Sequence, residues 1–239
     1  MHNKLSPQTI TEIVQTSIDG GVNWFDTAGI YGRGSSERYL ADALKIAGKT
    51  RADVVIATKW FPLFRTAGNI EKSIDLRLQC LDGYNIDLYQ VHFPNSLSSI
   101  RETMKRIADL VEKGKIRSIG VSNFSAEQMR DAHDILAERG LALASNQVHY
   151  SLLKRDVEGN GILDTARQLG ITIIAYSPLE SGLLSGKFHN DVNAFRNTPL
   201  YRRVSLKSKL KKSPACRYSQ QNSYCPQCYA SSNCFELVD

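Results

Sequence analysis

The stretch Val54-Val55-Ile56-Ala57-Thr58-Lys59, followed after a helical segment by Ile86-Asp87-Leu88-Tyr89-Gln90-Val91-His92, decides the fold. Each run is short and near-continuously apolar, and each stops at a charged or titratable residue. A strand that is apolar on both faces must be covered on both faces, as happens in parallel sheets with helical crossovers. Between the two runs, residues 70–81 carry the 3.6-residue spacing of a helix. The repeating element is therefore strand, helix, strand.

It recurs in both directions. Ser6-Pro7 supplies an N-cap and a first-turn proline to a helix whose Ile10, Ile13, Val14 and Ile18 share a face, and Gly20-Gly21 stops it. Val22-Asn23-Trp24-Phe25 reads as a strand ending at Asp26. After the turn Tyr31-Gly32-Arg33-Gly34 comes a helix with Leu40, Ala43 and Leu44 inward and Glu37 in its first turn. Ser99-Ile100-Arg101-Glu102 is a capping box, and Ser125 with Gln128 forms a second. Strands follow at 118–121, 143–147 and 171–175, with a helix at 162–169. The strand ends Asp26, Lys59, His92, Val121, Gln147 and Ala175 lie 33, 33, 29, 26 and 28 residues apart. This alternation predicts an α/β fold with a parallel sheet. Periodicity alone leaves two forms open, a closed barrel and an open doubly wound sheet. The first strand is followed by no glycine fingerprint, which weighs against the dinucleotide-binding open sheet.

With 239 residues, 42% of them hydrophobic and 23% charged, the chain has an ordinary globular composition. It contains no apolar stretch of the ~18 residues that a membrane helix needs. The residues after Met1 lack the apolar run of a signal peptide, so no membrane association and a cytoplasmic location are expected. The net charge of +6 raises the question of nucleic acid. Residues 188–239, however, carry 8 Lys/Arg against 3 Asp/Glu, while residues 1–187 carry 22 against 21. The body is near neutral, and no nucleic-acid partner is expected. Cysteine divides in the same way: Cys80 lies in the body, whereas Cys216, Cys225, Cys228 and Cys234 lie near the end.

In a parallel barrel the C-terminal strand ends meet at one rim, where catalytic groups collect. Asp26, Lys59 and His92 stand there, with Tyr31 just beyond the first. Singly, each has an ordinary role as a turn residue, a rim ion-pair partner, a loop histidine or a packing aromatic. Together they describe an acid. A buried lysine beside a tyrosine favours phenolate and lowers its pKa from ~10, and a carboxylate holds the lysine in place. A tyrosine tuned in that way can give its proton to a carbonyl oxygen that an imidazole orients.

The motifs resemble a known family. Phe25-Asp26-Thr27-Ala28 with Tyr31-Gly32, Ala57-Thr58-Lys59, Leu88-Tyr89-Gln90-Val91-His92, and the run from Gly114-Lys115-Ile116-Arg117 through Ser122-Asn123-Phe124 are similar to the aldo-keto reductases. So are Asn146-Gln147-Val148, Tyr150 and Ala175-Tyr176-Ser177-Pro178-Leu179, all in the family's order. The resemblance implies a (β/α)8 TIM-type barrel that binds NADP(H) and reduces a small-molecule carbonyl substrate, an aldehyde or ketone, by hydride transfer. It makes Tyr31 the general acid, Lys59 the group that lowers its pKa, Asp26 the partner of Lys59, and His92 the contact to the carbonyl. It gives Ser122, Asn123 and Gln147 to the nicotinamide carboxamide and Tyr176 to stacking on the ring. Ser177, Pro178, Leu179, Gly182, Leu184 and Lys187 are implied to bind the pyrophosphate.

About six of the eight strands are readable, so a truncated barrel is expected, with residues 1–187 its partial domain and 188–213 a variable connection bearing Arg196. Residues 214–239 match nothing in the family pattern. A reading-frame break near Ser213, a disordered natural tail, and a small zinc knuckle around Cys225-Pro226-Gln227-Cys228 are the readings for that segment. The cysteine spacing fits no familiar zinc module, and no metal site is expected. An open six-strand barrel lacking the loop for the adenosine 2′-phosphate would reduce carbonyls weakly or not at all. The alternative function is a cofactor-binding regulatory subunit resembling the potassium-channel β subunits.

Overall fold

A computed structural model of the chain describes residues 5–185. Helices and strands alternate through them: α1 Pro7–Asp19, β1 Trp24–Asp26, α2 Ser35–Ile46, β2 Val55–Trp60, α3 Asn69–Leu81, β3 Leu88–Val91, α4 Ile100–Glu112, β4 Ser118–Ser122, α5 Ala126–Ala137, β5 Leu143–His149, α6 Ile162–Leu169 and β6 Thr172–Tyr176. Among the described residues, 5–147 together with 161–174 form one compact unit, and 148–160 with 175–185 form a second. The expectations for residues 186–239, including Lys187, Arg196 and the cysteine-rich tail, lie outside the described residues.

The helix starts follow local chemistry. Ser6 Oγ accepts the Thr9 amide at 3.1 Å, with Pro7 in the first turn. Both capping boxes close in each direction: Ser99 with Glu102 at α4, and Ser125 with Gln128 at α5. Caps of this kind are each worth about 1 kcal/mol.

At the N-terminal edge the structure is less buried than the apolar pattern predicts. Val14 is the buried residue of α1, and Ile13 is 51% exposed. The helix lies along α2, so only part of its apolar face is covered. Similarly, β1 starts at Trp24, two residues later than its apolar run. Among the described residues it stands at the edge of the sheet and pairs with β2 alone.

The strands are ordered β1-β2-β3-β4-β5-β6, and the pairs from β1/β2 to β4/β5 are parallel. A doubly wound sheet reverses its strand order at a switch point. Strict sequence order removes that alternative. This is the α/β strand arrangement of a (β/α)8 barrel, with six of its strands among the described residues.

Register then sorts side chains to the two faces. Lys59 pairs with Gln90, Gln90 with Gly120 and Gly120 with Ser145, so these residues form one layer on one face. That layer needs a glycine: a Cβ on Gly120 would stand 2.5 Å from Ser145 Oγ and 2.9 Å from Gln90 Cγ. Alternate residues turn to the helices. Trp60 Nε1 donates to Asn69 Oδ1 of α3 at 3.2 Å, and Tyr89 Oη donates to Ser73 Oγ of α3 at 3.4 Å. Burying an aromatic of this size contributes roughly 3 kcal/mol. Thr58 Oγ1 donates to Glu37 Oε1 of α2 at 2.6 Å. Glu37 is fully buried, and its Oε2 lies 2.8 Å from Arg77 Nη1 of α3. Glu37, in the first turn of α2, is therefore part of an internal ion pair between the helices and β2. None of the helices among the described residues is long and apolar enough to cross a membrane.

Candidate active site

The site begins where β1 ends. Past Asp26 the Thr27 amide still donates to Ala57 O at 2.9 Å, and then the chain leaves the sheet. Tyr31 opens a 3-10 turn to Gly34 in which Gly32, Arg33 and Gly34 have φ of 58°, 56° and 89°. Two glycines make this left-handed winding possible, and Arg33 is carried through it.

Lys59, at the end of β2, is 1% exposed. Its Nζ donates to Asp26 Oδ2 at 2.5 Å and to Thr27 O at 2.9 Å. From β3, Gln90 Nε2 donates to the other Asp26 oxygen at 3.3 Å. Burial pulls the Lys59 ammonium below the ordinary lysine range, and Asp26 opposes that pull. The Tyr31 ring centroid lies 5.8 Å from Lys59 Nζ, and this tyrosine is 45% exposed. A buried, anchored cation therefore stands beside an accessible phenol ring.

His92 follows β3, and its amide donates to Trp60 O at 3.0 Å. Its ring meets the Tyr31 ring edge-on at 6.1 Å and 85°, stacks on Phe93 at 4.7 Å, and meets the edge of Phe61 at 5.8 Å. Burial among these aromatics, reinforced by the Lys59 charge, lowers its pKa to about 4, and Asp26 opposes the shift. The imidazole is therefore neutral at pH 7, with one nitrogen to donate. Its Nδ1 is buried without a hydrogen-bond partner among the described residues.

The next two strand exits carry an amide cluster. Ser122 Oγ and the Asn123 amide both donate to Gln147 O at 2.9 Å. Asn123 has φ 61°, a left-handed conformation that asparagine tolerates. Its Nδ2 donates to His92 O at 3.2 Å and to Ser122 Oγ at 3.0 Å. These bonds tie the ends of β3, β4 and β5. The Gln147 side chain is 6% exposed, and among the described residues no hydrogen bond engages its amide.

In the second unit, Tyr176 stacks on His149 at 5.1 Å and 17°. Glu180 is buried, accepts from Ser151 Oγ at 2.7 Å, and has His149 Nε2 at 2.8 Å from Oε1. The loop through Ser177, Pro178 and Leu179 winds by left-handed steps at Ser177, Glu180, Ser181 and Gly182. The amides of Glu180, Gly182 and Leu184 donate to Ser177 O, Leu179 O and Leu179 O, closing turns within the loop.

The structure thus gathers Asp26, Tyr31, Lys59 and His92 into one cluster, with Ser122, Asn123 and Gln147 at the neighbouring strand ends of the same unit. Tyr176 to Leu184 belong to the second unit, and Lys187 lies outside the described residues. Gln90 and Phe61 are additional members that the motif reading passes over. Gln90 leaves a legible trace, because a polar residue inside the buried run Leu88-Tyr89-Gln90-Val91 must find a partner. Phe61 leaves none, being one of two phenylalanines, with Phe64, in the loop after β2.

The sequence model of the Aldo/keto reductase family matches residues 1–225. The chain belongs to the aldo/keto reductase family. Among curated proteins, a 6-dehydroglucose reductase of Novosphingobium aromaticivorans is 35% identical over 194 residues, or 77% of this chain and 63% of its own length. The aldo-keto reductase YhdN of Bacillus subtilis is 40% identical over 188 residues, 75% of this chain and 55% of its own. Two solved family structures superpose on the fold. A thermostable aldo-keto reductase bound to the inhibitor epalrestat has a TM-score of 0.68 at 33% identity, covering 77% of this chain and 65% of its own. An aldo/keto reductase from Klebsiella pneumoniae in complex with NADP and acetate has a TM-score of 0.65 at 28% identity, covering 77% of this chain and 64% of its own. This family member spans less than two thirds of the length of each of the four.

Proposed function

We propose that this chain is an oxidoreductase that reduces the carbonyl of an aldehyde or ketone with NADP(H), Tyr31 acting as the general acid. The observation that carries the reading is the buried Lys59 ammonium, held by Asp26 at 2.5 Å and set 5.8 Å from the centre of the accessible Tyr31 ring. The NADP in the Klebsiella pneumoniae relative supports the choice of cofactor.

The residues of the first unit fit a nicotinamide carboxamide. The unengaged Gln147 amide offers both a donor and an acceptor beside Ser122 and Asn123. In the second unit the loop fits a pyrophosphate less directly, because the Gly182 and Leu184 amides already bond loop carbonyls. Ser177 and Ser181, both left-handed, offer hydroxyls there. When bound, NADPH supplies the hydride. Tyr31 holds the proton that goes to the carbonyl oxygen, and the fixed Lys59 charge stabilises the phenolate left behind. Asp26 keeps Lys59 directed to that side. His92, neutral at pH 7, donates a hydrogen bond that orients the oxygen without competing as a stronger acid. Phe61 and Phe93 keep water from the imidazole.

Loss of NADPH absorbance with 4-nitrobenzaldehyde tests the reading, with NADPH binding followed separately by protein fluorescence. Tyr31→Phe is expected to lower turnover by about 10²- to 10⁴-fold and to leave cofactor binding unchanged. Undiminished turnover in Tyr31→Phe would remove Tyr31 from its assigned role.

A further inference from the structure

Next to the lysine lies a concavity of about 490 Å³, lined by residues from 29–33, from the end of β2 and the loop after it, and from α3. Tyr31 and His92 are not among the residues that line it. It lies within the first unit, and its size is that of a small-molecule site.

Its lining is chemically one-sided. Arg33, Lys59, Arg65, Lys72 and Arg77 contribute to it, and among the described residues no aspartate or glutamate does. Lys59 is already engaged by Asp26 and Thr27 O, and Arg77 is paired with Glu37. Arg33, Arg65 and Lys72 have no carboxylate partner among the described residues, whereas many exposed cations of this chain do have one, such as Lys113 with Glu71 and Arg101 with Glu138. Like charges gathered in a concavity repel one another, and the repulsion is relieved when an anion enters. The uncharged part of the wall is mostly apolar, Ile30, Phe61, Leu63 and Leu76, with Asn69 and Ser73 as its neutral polar members.

Backbone features hold this arrangement in place. Arg33 is carried to the mouth by the left-handed run Gly32, Arg33, Gly34, an uncommon conformation for an arginine. Gly29 gives room to Arg77, because a Cβ on Gly29 would stand 2.3 Å from Arg77 Nη1. The Glu37 pair then fixes that guanidinium.

We infer that this cavity binds a small organic anion, with an apolar body against Ile30, Phe61, Leu63 and Leu76 and a carboxylate or phosphate group met by Arg33, Arg65 and Lys72. The apolar wall separates such a ligand from a bare inorganic ion, and the three unpaired cations separate it from a neutral aromatic. The site shares Lys59 and Phe61 with the proposed carbonyl-reduction site, but Tyr31 and His92 do not line it.

Titration calorimetry on the full chain tests this with four probes: phenyl phosphate, benzoate, inorganic phosphate and phenol. Phenyl phosphate or benzoate is expected to bind at least about tenfold more tightly than inorganic phosphate or phenol, and more weakly as salt is raised from about 0.05 to 0.5 M. Whichever of the two organic anions binds better identifies the head group. The double variant Arg65→Gln/Lys72→Gln, altered only at exposed positions, is expected to weaken that probe at least about tenfold through lost charge-assisted hydrogen bonds. A charge-matched double variant on the α2–β2 turn, Lys49→Gln/Arg51→Gln, is expected to change it less than twofold. The inference is overturned if neither organic anion binds better than inorganic phosphate. It is equally overturned if the Arg65/Lys72 variant binds as the parent does, or if the turn variant loses as much.

Discussion

Two buried ion pairs stand back to back in the first unit, and they are built to opposite ends. Glu37 and Arg77 are both closed off, with Thr58 donating to the glutamate, and the pair joins two helices to a strand. Burial pushes the Glu37 carboxyl above the usual range, while Thr58 and Arg77 pull it back. Asp26 and Lys59 are asymmetric: the lysine is 1% exposed, but its carboxylate is 30% exposed. A pair sealed at both ends holds elements together. A pair sealed at one end presents a fixed charge to whatever arrives. The buried-charge penalty is common to both; only the second one leaves a reactive neighbour within reach.

The sharpest way to break this comparison is Arg77→Leu. Removing one partner from a sealed pair leaves an uncompensated buried charge, so a loss of about 3–5 kcal/mol is expected in urea unfolding. Glu37→Gln/Arg77→Leu should recover a large part of it. Asp26→Asn probes the half-open pair. The new amide oxygen and the Thr27 carbonyl can still accept from Lys59, so a loss of about 1–2 kcal/mol is expected, with turnover down about 100-fold. Equal stability losses at the two positions would erase the distinction.

The histidine offers a smaller effect with a defined sign. Folding lowers the His92 pKa from 6.5 to about 4, so between those values the unfolded chain binds the extra proton. Stability therefore rises as pH increases from 4 to 6.5, by about 1–2 kcal/mol after allowance for partial solvent access, and is level in this term above that. Thermal melts of His92→Asn should lack that slope. The smallest expectation is at the surface. Arg101 and Glu138 are both more than half exposed, so Arg101→Ala should cost about 0.5 kcal/mol or less.

Local signals made much of this legible. Ser6-Pro7 opens α1, the two capping boxes open α4 and α5, and α6 runs over 162–169 as its spacing predicts. These are effects of neighbours within four residues. Strand ends were legible because a charge after an apolar run marks the rim of a parallel sheet. Glu37 was not, since helix periodicity cannot tell a solvated first-turn glutamate from one aimed at an arginine 40 residues later. Nor could sequence tell that the glycine at 120 is demanded by Ser145 and Gln90, on the adjacent strands to either side.

The sequence by itself determined the alternation of elements, the family, and the identity of the residues at the strand ends, because periodicity, caps and contiguous motifs are properties of the chain. The choice of a barrel's strand order over a doubly wound sheet, the engagement of Lys59 by Asp26, Thr27 and indirectly Gln90, and the gathering of Arg33, Arg65 and Lys72 around an apolar wall belong to the tertiary structure. Each depends on register between strands or on the distance between a loop and a helix, and a charge's environment is set by what packs against it from elsewhere in the chain.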